Sequence, residues 1–495
     1  MSGVLADPEV TRRTVRLTEA VEINPKADRS VLTDTTQVSF VPMAAVGAGN
    51  GQIDTSTIRP YAEVRKGYTH FRDGDVLFAK ITPCMENGKM VVAHGLHNGV
   101  GLGSTEFHVL RPRAGVDSRY VYHFVSSAKF RNEAAHHMTG AVGQERVPVS
   151  FLEQSEIPLP SLHEQHRIVA EIEKQFSRLD QAVASLQRVK AQLKRYKASV
   201  LKAAVEGRLV ETEVERARRE GRGFGTGAEL AAQGRANAAG GRKPGAALPY
   251  ETGEQLLKRI LDTRRSQWQG KGKYKEPAAP DTSGLPELPE GWVWCGFEQV
   301  SSAAKHALKA GPFGSALKKD IYVPSGYKIY GQEQVIRGDH SFGDYFIEEA
   351  KFRELENCAV KPGDLLISLV GTAGKVLVLP ENARPGIINP RLIKLSLNPS
   401  FIAPAYAAYM LQSAWAALFF KGQAHGGTME ILNLGIVKAL PVPLPPLHEQ
   451  HRIVAEVDRR LSIVREVEAE VDANLKRAQA LRQAVLARAF AVASS

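Results

Sequence analysis

Pro158-Leu-Pro-Ser-Leu-His-Glu-Gln-His-Arg-Ile-Val-Ala-Glu171 decides the reading of this chain, because it occurs twice. From Pro443 to Glu456 the sequence is PLPPLHEQHRIVAE, and Ser161 against Pro446 is the one difference in fourteen positions. The offset of 285 residues marks two similar halves, each a globular module followed by a helix. The prolines suit the start of a helix, where an N–H has no intrahelical partner. Downstream, apolar residues recur every seventh position at Ile172, Leu179, Leu186, Leu193 and Val200, with Val169, Phe176 and Val183 three residues ahead. The second copy offers Val457, Val464, Val471 and Val485, with Val454, Leu461 and Leu475 in the other register. This is the a/d pattern of a coiled coil; the alternative is two amphipathic helices, each packed on its own module. Lys190, Lys197 and Arg482 fall at seam positions and are expected to weaken it toward one end.

A chain of 495 residues with 43% hydrophobic content predicts two or more soluble folded domains. The net charge of +11 favours a polyanionic partner. Cys84, Cys295 and Cys358 lie far apart without a CxxC, which argues against a disulfide framework or zinc finger and fits a reducing cytoplasm. The opening MSGVLADPEVTRR lacks an apolar core, so no signal peptide is expected there. The apolar run Ala403–Phe420 contains Gln412 and Ser413 and is short for a membrane span, so one buried helix is expected from Tyr406 to Phe420.

Five segments follow in order. Residues 1–160 hold short β-type runs (Val38–Val41, Val76–Ile81 after the Asp73-Gly74-Asp75 turn, Met90–Ala93, Phe107–Leu110) and a late helix at Tyr120–Ser127. Residues 161–207 are the first long helix, stopped at Gly207. Residues 208–288 form a linker, partly helical or disordered, with a Gly/Ala-rich stretch at Gly221–Gly245 too poor in apolar side chains to fold. Residues 289–446 repeat the first layout, with Lys361-Pro-Gly-Asp364 in place of Arg72-Asp-Gly-Asp75, and residues 447–495 are the second long helix. The expected class is α+β: two α/β domains separated by two long antiparallel coiled-coil helices with pseudo-two-fold symmetry. Two similar, divergent, basic modules on a rod suit a two-part ligand. Duplex DNA with two different half-sites fits; a coiled-coil adaptor joining two protein ligands is the alternative.

Several stretches carry a family resemblance. PLPSLHEQHRIVAEIE and PLPPLHEQHRIVAEVD close the modules; LKAAVEGRL (Leu201–Leu209) and KYKEPAAPDTSGLPELPEGWVW (Lys273–Trp294) frame the linker. GPFGSALKKD (Gly311–Asp320), FAKITPCMENGKMV (Phe78–Val91) and GSTEFHVLRP (Gly103–Pro112) lie inside the modules. Together they resemble the specificity (S, or HsdS) subunit of type I restriction–modification systems over nearly the whole chain. The resemblance implies two target-recognition domains for double-stranded DNA, two methylation subunits docked on the helical region, and two restriction subunits in the full complex. It implies no catalysis in this chain. S-adenosylmethionine, ATP and Mg2+ would be used by the other subunits.

The sequence offers no competing chemistry. Asn389-Pro390-Arg391 is not an adenine-methyltransferase motif. Gly371-Thr-Ala-Gly-Lys375 lacks the spacing and hydroxyl of a phosphate loop. His163-Glu164-Gln165-His166 spaces its histidines three apart rather than the four of a zinc helix, so they are expected to hydrogen-bond rather than bind metal.

Candidate DNA contacts are polar residues beside glycine-rich loops that can approach a groove. In the first module these are Lys80, Thr82, Asn87, Lys89, Gln144 and Arg146; in the second, Ser315, Lys318, Lys319, Gln332, Thr372, Lys375, Arg391 and Thr428. A solvated turn or a fold-holding hydrogen bond is the bland reading of each. The helices are expected to act as a ruler for the gap between half-sites.

Overall fold

The computed structural model describes residues 13–26, 32–141, 143–223, 250–269, 272–312, 316–369, 374–423 and 432–491. The chain forms two compact units, Met1–Val189 with Glu470–Ser495, and Lys190–Ala469. Both long helices, Leu162–Val205 and Leu447–Ala489, contribute to each unit.

Unit one carries β1 (Arg13–Arg16), β2 (Val21–Ile23), β3 (Gln37–Val41), β4 (Ile58–Pro60), β5 (Thr69–Arg72), β6 (Val76–Ala79), β7 (Met90–Val92), β8 (Val100–Gly103), β9 (Phe107–Pro112) and β10 (Glu156–Leu159). They order as β1-β10, β2-β9-β6-β7 and β4-β3-β8-β5. Unit two carries β11 (Val293–Gly296), β12 (Leu308–Ala310), β13 (Tyr327–Tyr330), β14 (Phe346–Ile347), β15 (Ala359–Val360), β16 (Leu365–Ser368), β17 (Val376–Val378), β18 (Gly386–Ile388), β19 (Leu392–Leu395) and β20 (Pro441–Leu444). These order as β11-β20, β12-β19-β16-β17 and β14-β13-β18-β15. Adding ten to each label of unit one therefore reproduces unit two. The parallel pair recurs as well, β3 with β8 and β13 with β18.

Local chemistry explains the match. β6 and β16 are buried on both faces and apolar but for Ser368, as central strands covered on two sides must be. Each follows the same turn. Gly74 and Gly363 take φ of 89° and 82°, where a side chain would be strained. The next residue's carboxylate closes the turn, Asp75 accepting Arg72 N–H at 2.9 Å and Asp364 accepting Lys361 N–H at 3.0 Å.

The repeat fastens each head to its helix. Gln165 Oε1 accepts Asp117 N–H at 2.9 Å, while its Nε2 donates to Pro160 O at 2.9 Å and Gly115 O at 3.1 Å. Gln450 does the same with Ala403 N–H, Pro445 O and Phe401 O. Tyr120 and Tyr406 donate to Pro158 O and Pro443 O. Glu164 and Glu449 are buried beside the glutamines, whereas His163, His166, His448 and His451 are exposed. His166 lies 3.2 Å from Asp117. Among the described residues, no three His, Cys, Asp or Glu side chains are grouped to hold a metal.

The long helices run antiparallel within each unit. In unit one, Ile168, Val169, Ile172 and Phe176 share a core with Leu486 and Ala489, and Arg482 donates to Asp180 at 2.7 Å. In unit two, Val200, Ala204 and Val205 share a core with Ile453 and Val457, and Lys197 donates to Glu468 at 2.6 Å. Lys197 and Arg482 thus bridge the helices by ion pairs, a role the expected weakening of the seam did not include. Leu179, Val183, Leu186, Leu193, Val454, Leu461, Leu475 and Val485 are half-buried, and Val464 and Val471 are buried.

One expectation needs correction. The helix expected at Tyr406–Phe420 is two, Pro404–Leu411 and Ala414–Gln423, because Ser413 Oγ accepts Ala416 N–H and starts a new helix. Ser127 makes the same break in unit one, capping Ala128–His136. In the linker, Glu213–Glu220 and Gly253–Ser266 are helices. Leu209, Leu256 and Ile260 enter the core of unit two, and helix Glu213–Glu220 is closed by a Thr212 capping box. Most of the Gly221–Gly245 stretch lies outside the described residues.

Among the described residues, no helix is long and apolar enough to cross a membrane. Cys84, Cys295 and Cys358 are free.

Candidate nucleic-acid interface

The residues singled out in the first module gather where β6 ends. Lys80 N–H donates to Glu106 O at 2.9 Å, and Lys80 O accepts Val147 N–H at 2.8 Å. Thr82 N–H donates to Glu145 O at 3.0 Å. Lys80 and Thr82, two apart on one extended segment, share a face. Lys80, Thr82 and Arg146 thus sit on one backbone ladder that prolongs the sheet beyond β6, and Gln144 stands in the turn that leads into it. Next to it, Gly49 N–H donates to Gly88 O at 2.9 Å, joining the Gly47–Gly51 loop to the turn that carries Asn87. Gly88 has φ of 70°, a left-handed conformation in which a side chain would be strained. Asn87 is exposed at this tip; Lys89 is half-buried, with Nζ donating to Met43 O at 2.9 Å.

Arg146 is held from the side. Its Nε and Nη2 donate to the two oxygens of Glu106, each at 2.9 Å. These bonds hold the Glu106 carboxyl below its ordinary range, and the nearby Lys80 and His108 add to the effect. His108 lies beneath, its Nε2 donating to Val147 O at 2.9 Å; burial lowers its pKa, which favours the neutral ring, whose Nδ1 accepts from Asn24 Nδ2 at 3.1 Å. Glu106 was not singled out in the sequence, although it lies within GSTEFHVLRP; its part depends on a partner forty residues away. Arg131, whose Nη1 donates to Glu86 O at 2.6 Å, was missed for the same reason.

Unit two builds the corresponding corner. Leu369 N–H donates to Arg391 O at 3.1 Å, and Leu369 O accepts Leu432 N–H at 3.0 Å. Leu369 thus occupies the place of Lys80, and Arg391 that of Glu106. Lys375 O accepts Ser368 N–H at 2.9 Å, and Gln332 Nε2 donates to Ser368 Oγ at 2.8 Å, so Gln332, Lys375 and Arg391 surround the end of β16. Lys375 and Arg391 are exposed. Lys318 and Lys319 sit on an exposed turn, and the adjoining Leu317 packs with Ile329 of β13 and Ile387 of β18. Ser315, Thr372 and Thr428 lie outside the described residues.

Backbone ladders with half-buried cations in unit one (Lys80, Lys89, Arg146) and exposed ones in unit two (Lys375, Arg391) can hold phosphates and present donors to base edges. Neither corner assembles a nucleophile with a base among the described residues.

The sequence and fold have known relatives. Residues 9–195 and 314–473 match the family model described as the type I restriction modification DNA specificity domain. The EcoAI specificity subunit of Escherichia coli is 30% identical over 459 residues, covering 89% of this chain and 76% of that one. The EcoEI specificity subunit of the same organism is 28% identical over 474 residues, covering 90% and 76%. A solved chain from work on complex assembly and conformational transition of the type I R-M system superposes with a TM-score of 0.64 at 19% identity, covering 97% of each chain, and so shares the fold. On the family match and the similarity to the EcoAI subunit, the chain belongs to the type I restriction–modification specificity-subunit family.

Proposed function

We propose that this chain is the DNA sequence-specificity subunit of a type I restriction–modification complex, each head reading one half of a bipartite site. The observation that carries the proposal is the recurrence of one ten-strand head with different chemistry at the same corner. Where unit one has Glu106 and Lys80, unit two has Arg391 and Leu369. Equal frames with unequal readers predict unequal half-sites. The chain recognises; methyl transfer and cleavage belong to partner subunits, which use S-adenosylmethionine, ATP and Mg2+.

Two methylation subunits are proposed to dock on the helical region, and two restriction subunits to complete the nuclease. In unit two Ile463 (49% exposed) and Val467 (38%) lie four apart on one helical face, an apolar stripe suited to such a partner. Both long helices pass from one unit into the other, and their length is proposed to set the gap within the site.

The test is methylation-site sequencing of DNA from cells that express the chain with its cognate methylation subunit. The expected result is a bipartite, asymmetric, adenine-methylated motif with a fixed gap, one half of which changes when residues 289–446 are exchanged. Assembly of all subunits without DNA binding would instead favour an adaptor between two protein ligands.

A further inference from the structure

Arg146 is oriented before any ligand arrives, and its half-exposed guanidinium keeps two N–H donors beyond those its protein partners use. Its backbone N–H donates to Thr139 O at 2.8 Å, and its carbonyl accepts Thr139 N–H at 3.0 Å. Nε and Nη2 are taken by Glu106, and Nη1 donates to Gln144 O at 2.9 Å. A guanidinium has five N–H donors. Glu106 uses two and Gln144 one, so each terminal nitrogen keeps one. The side chain remains 42% exposed beside a Glu106 that is 25% exposed.

We propose that Arg146, braced by Glu106, reads a guanine in the half-site of the first head. This rests on the DNA-recognition reading above. In the major groove only guanine presents two adjacent acceptors, O6 and N7. Adenine sets an amino donor beside its acceptor, thymine offers one acceptor beside a methyl group, and cytosine offers a donor. Two donors with no acceptor match guanine and meet an unpaired donor on adenine or cytosine.

Glu106 is a positioning residue. It holds the guanidinium plane, so little side-chain freedom remains to be lost on binding. It also balances the Arg146 charge, which lessens indiscriminate attraction to phosphate; Lys80, close by, is left to hold the backbone. Unit two has Arg391 in the place of Glu106, so this device belongs to one half-site only.

The experiment compares methylation motifs and duplex binding for the assembled complex carrying wild-type chain, Arg146→Ala, Arg146→Lys or Glu106→Gln. Arg146→Ala is expected to relax one guanine in the half-site that survives exchange of residues 289–446, lowering discrimination there roughly ten- to hundredfold and leaving other positions intact. Glu106→Gln should weaken discrimination at that same position. If Arg146→Ala abolishes methylation altogether, Arg146→Lys decides, since it keeps a cation for Glu106 and lacks the paired edge. Relaxation at guanine then supports the assignment. A wild-type motif without guanine in that half, or variants with an unchanged motif, would overturn it. A wild-type complex that assembles and binds no DNA would instead sink the recognition reading beneath it.

Discussion

Glu449 Oε1 accepts the indole N–H of Trp292 at 2.9 Å in the core of unit two. Its other oxygen accepts Glu213 N–H at 2.8 Å, which pins the first turn of helix Glu213–Glu220. Glu213 in turn pairs with Arg452 and Arg222. Burial raises the Glu449 pKa from its ordinary 4.5 to about 7, against the pull of these hydrogen bonds and of Arg452. A folded-state pKa above the unfolded one means that the native chain binds the extra proton. The associated stability is fully present below pH 4.5 and is lost as pH rises toward 7, about 3 kcal/mol in all. Glu449→Gln cannot titrate. Melting curves from pH 5 to 8 should show a falling stability in the wild type that is shallower in Glu449→Gln, on a baseline lowered by the bond the amide cannot accept. Parallel curves would sink the assignment.

His123 in unit one should respond in the opposite direction. Burial, with Arg482 and Arg119 nearby, lowers its pKa from 6.5 to about 4, while Asp117 opposes the shift. Glu173 lies 4.0 Å from its Nε2, and Phe176 packs edge-on against the ring. A folded pKa below the unfolded one gives stability that is present above pH 6.5 and lost as pH falls toward 4, again about 3 kcal/mol. His123→Phe should therefore flatten the acid side of the stability profile, measured by denaturant unfolding at pH 4.5 and 7. An equal acid loss in both proteins would rule this out.

Gln165 and Gln450 each satisfy one backbone N–H and two carbonyls of their own unit. Alanine at either position leaves those buried groups without partners, at about 2–4 kcal/mol. Gln→Glu at the same places faces the two carbonyls with carboxylate oxygen and should be no better. Hydrogen exchange should show the loss in the altered unit, Asp117 N–H for the first and Ala403 N–H for the second. Unchanged protection of both amides would contradict the clamp.

Tyr250 N–H donates to Gly223 O at 3.3 Å, so the described residues on either side of 224–249 meet at one place. Replacing residues 224–249 by a short glycine bridge should leave the melting temperature within a few degrees of the parent. A shift of ten degrees or more would show that the segment contributes to the fold.

Lengthening both long helices by one heptad adds about 10.5 Å of helix, about three base-pair steps. The methylated motif should keep both half-sites and widen its gap. A changed half-site with an unchanged gap would count against the ruler.

The duplicated PLP…HEQHRIVAE segment and its seven-residue apolar period were enough to predict two modules and two long helices, because these are local signals repeated along the chain; the antiparallel direction was preferred only on the order of modules and helices. The turns at Gly74 and Gly363 were legible for the same reason: a left-handed residue followed by a capping carboxylate is written in four consecutive positions. The tertiary structure decided what depends on distant partners. It showed that the repeat's glutamines serve as clamps, that Ser413 divides a helix, and that the linker helices belong to a core. It also showed that Arg146 is not a free loop cation: Glu106, forty residues away on the approach to β9, holds its Nε and Nη2. Periodicity reports which face of an element is buried. Only the fold brings together two side chains whose separation in sequence follows no period.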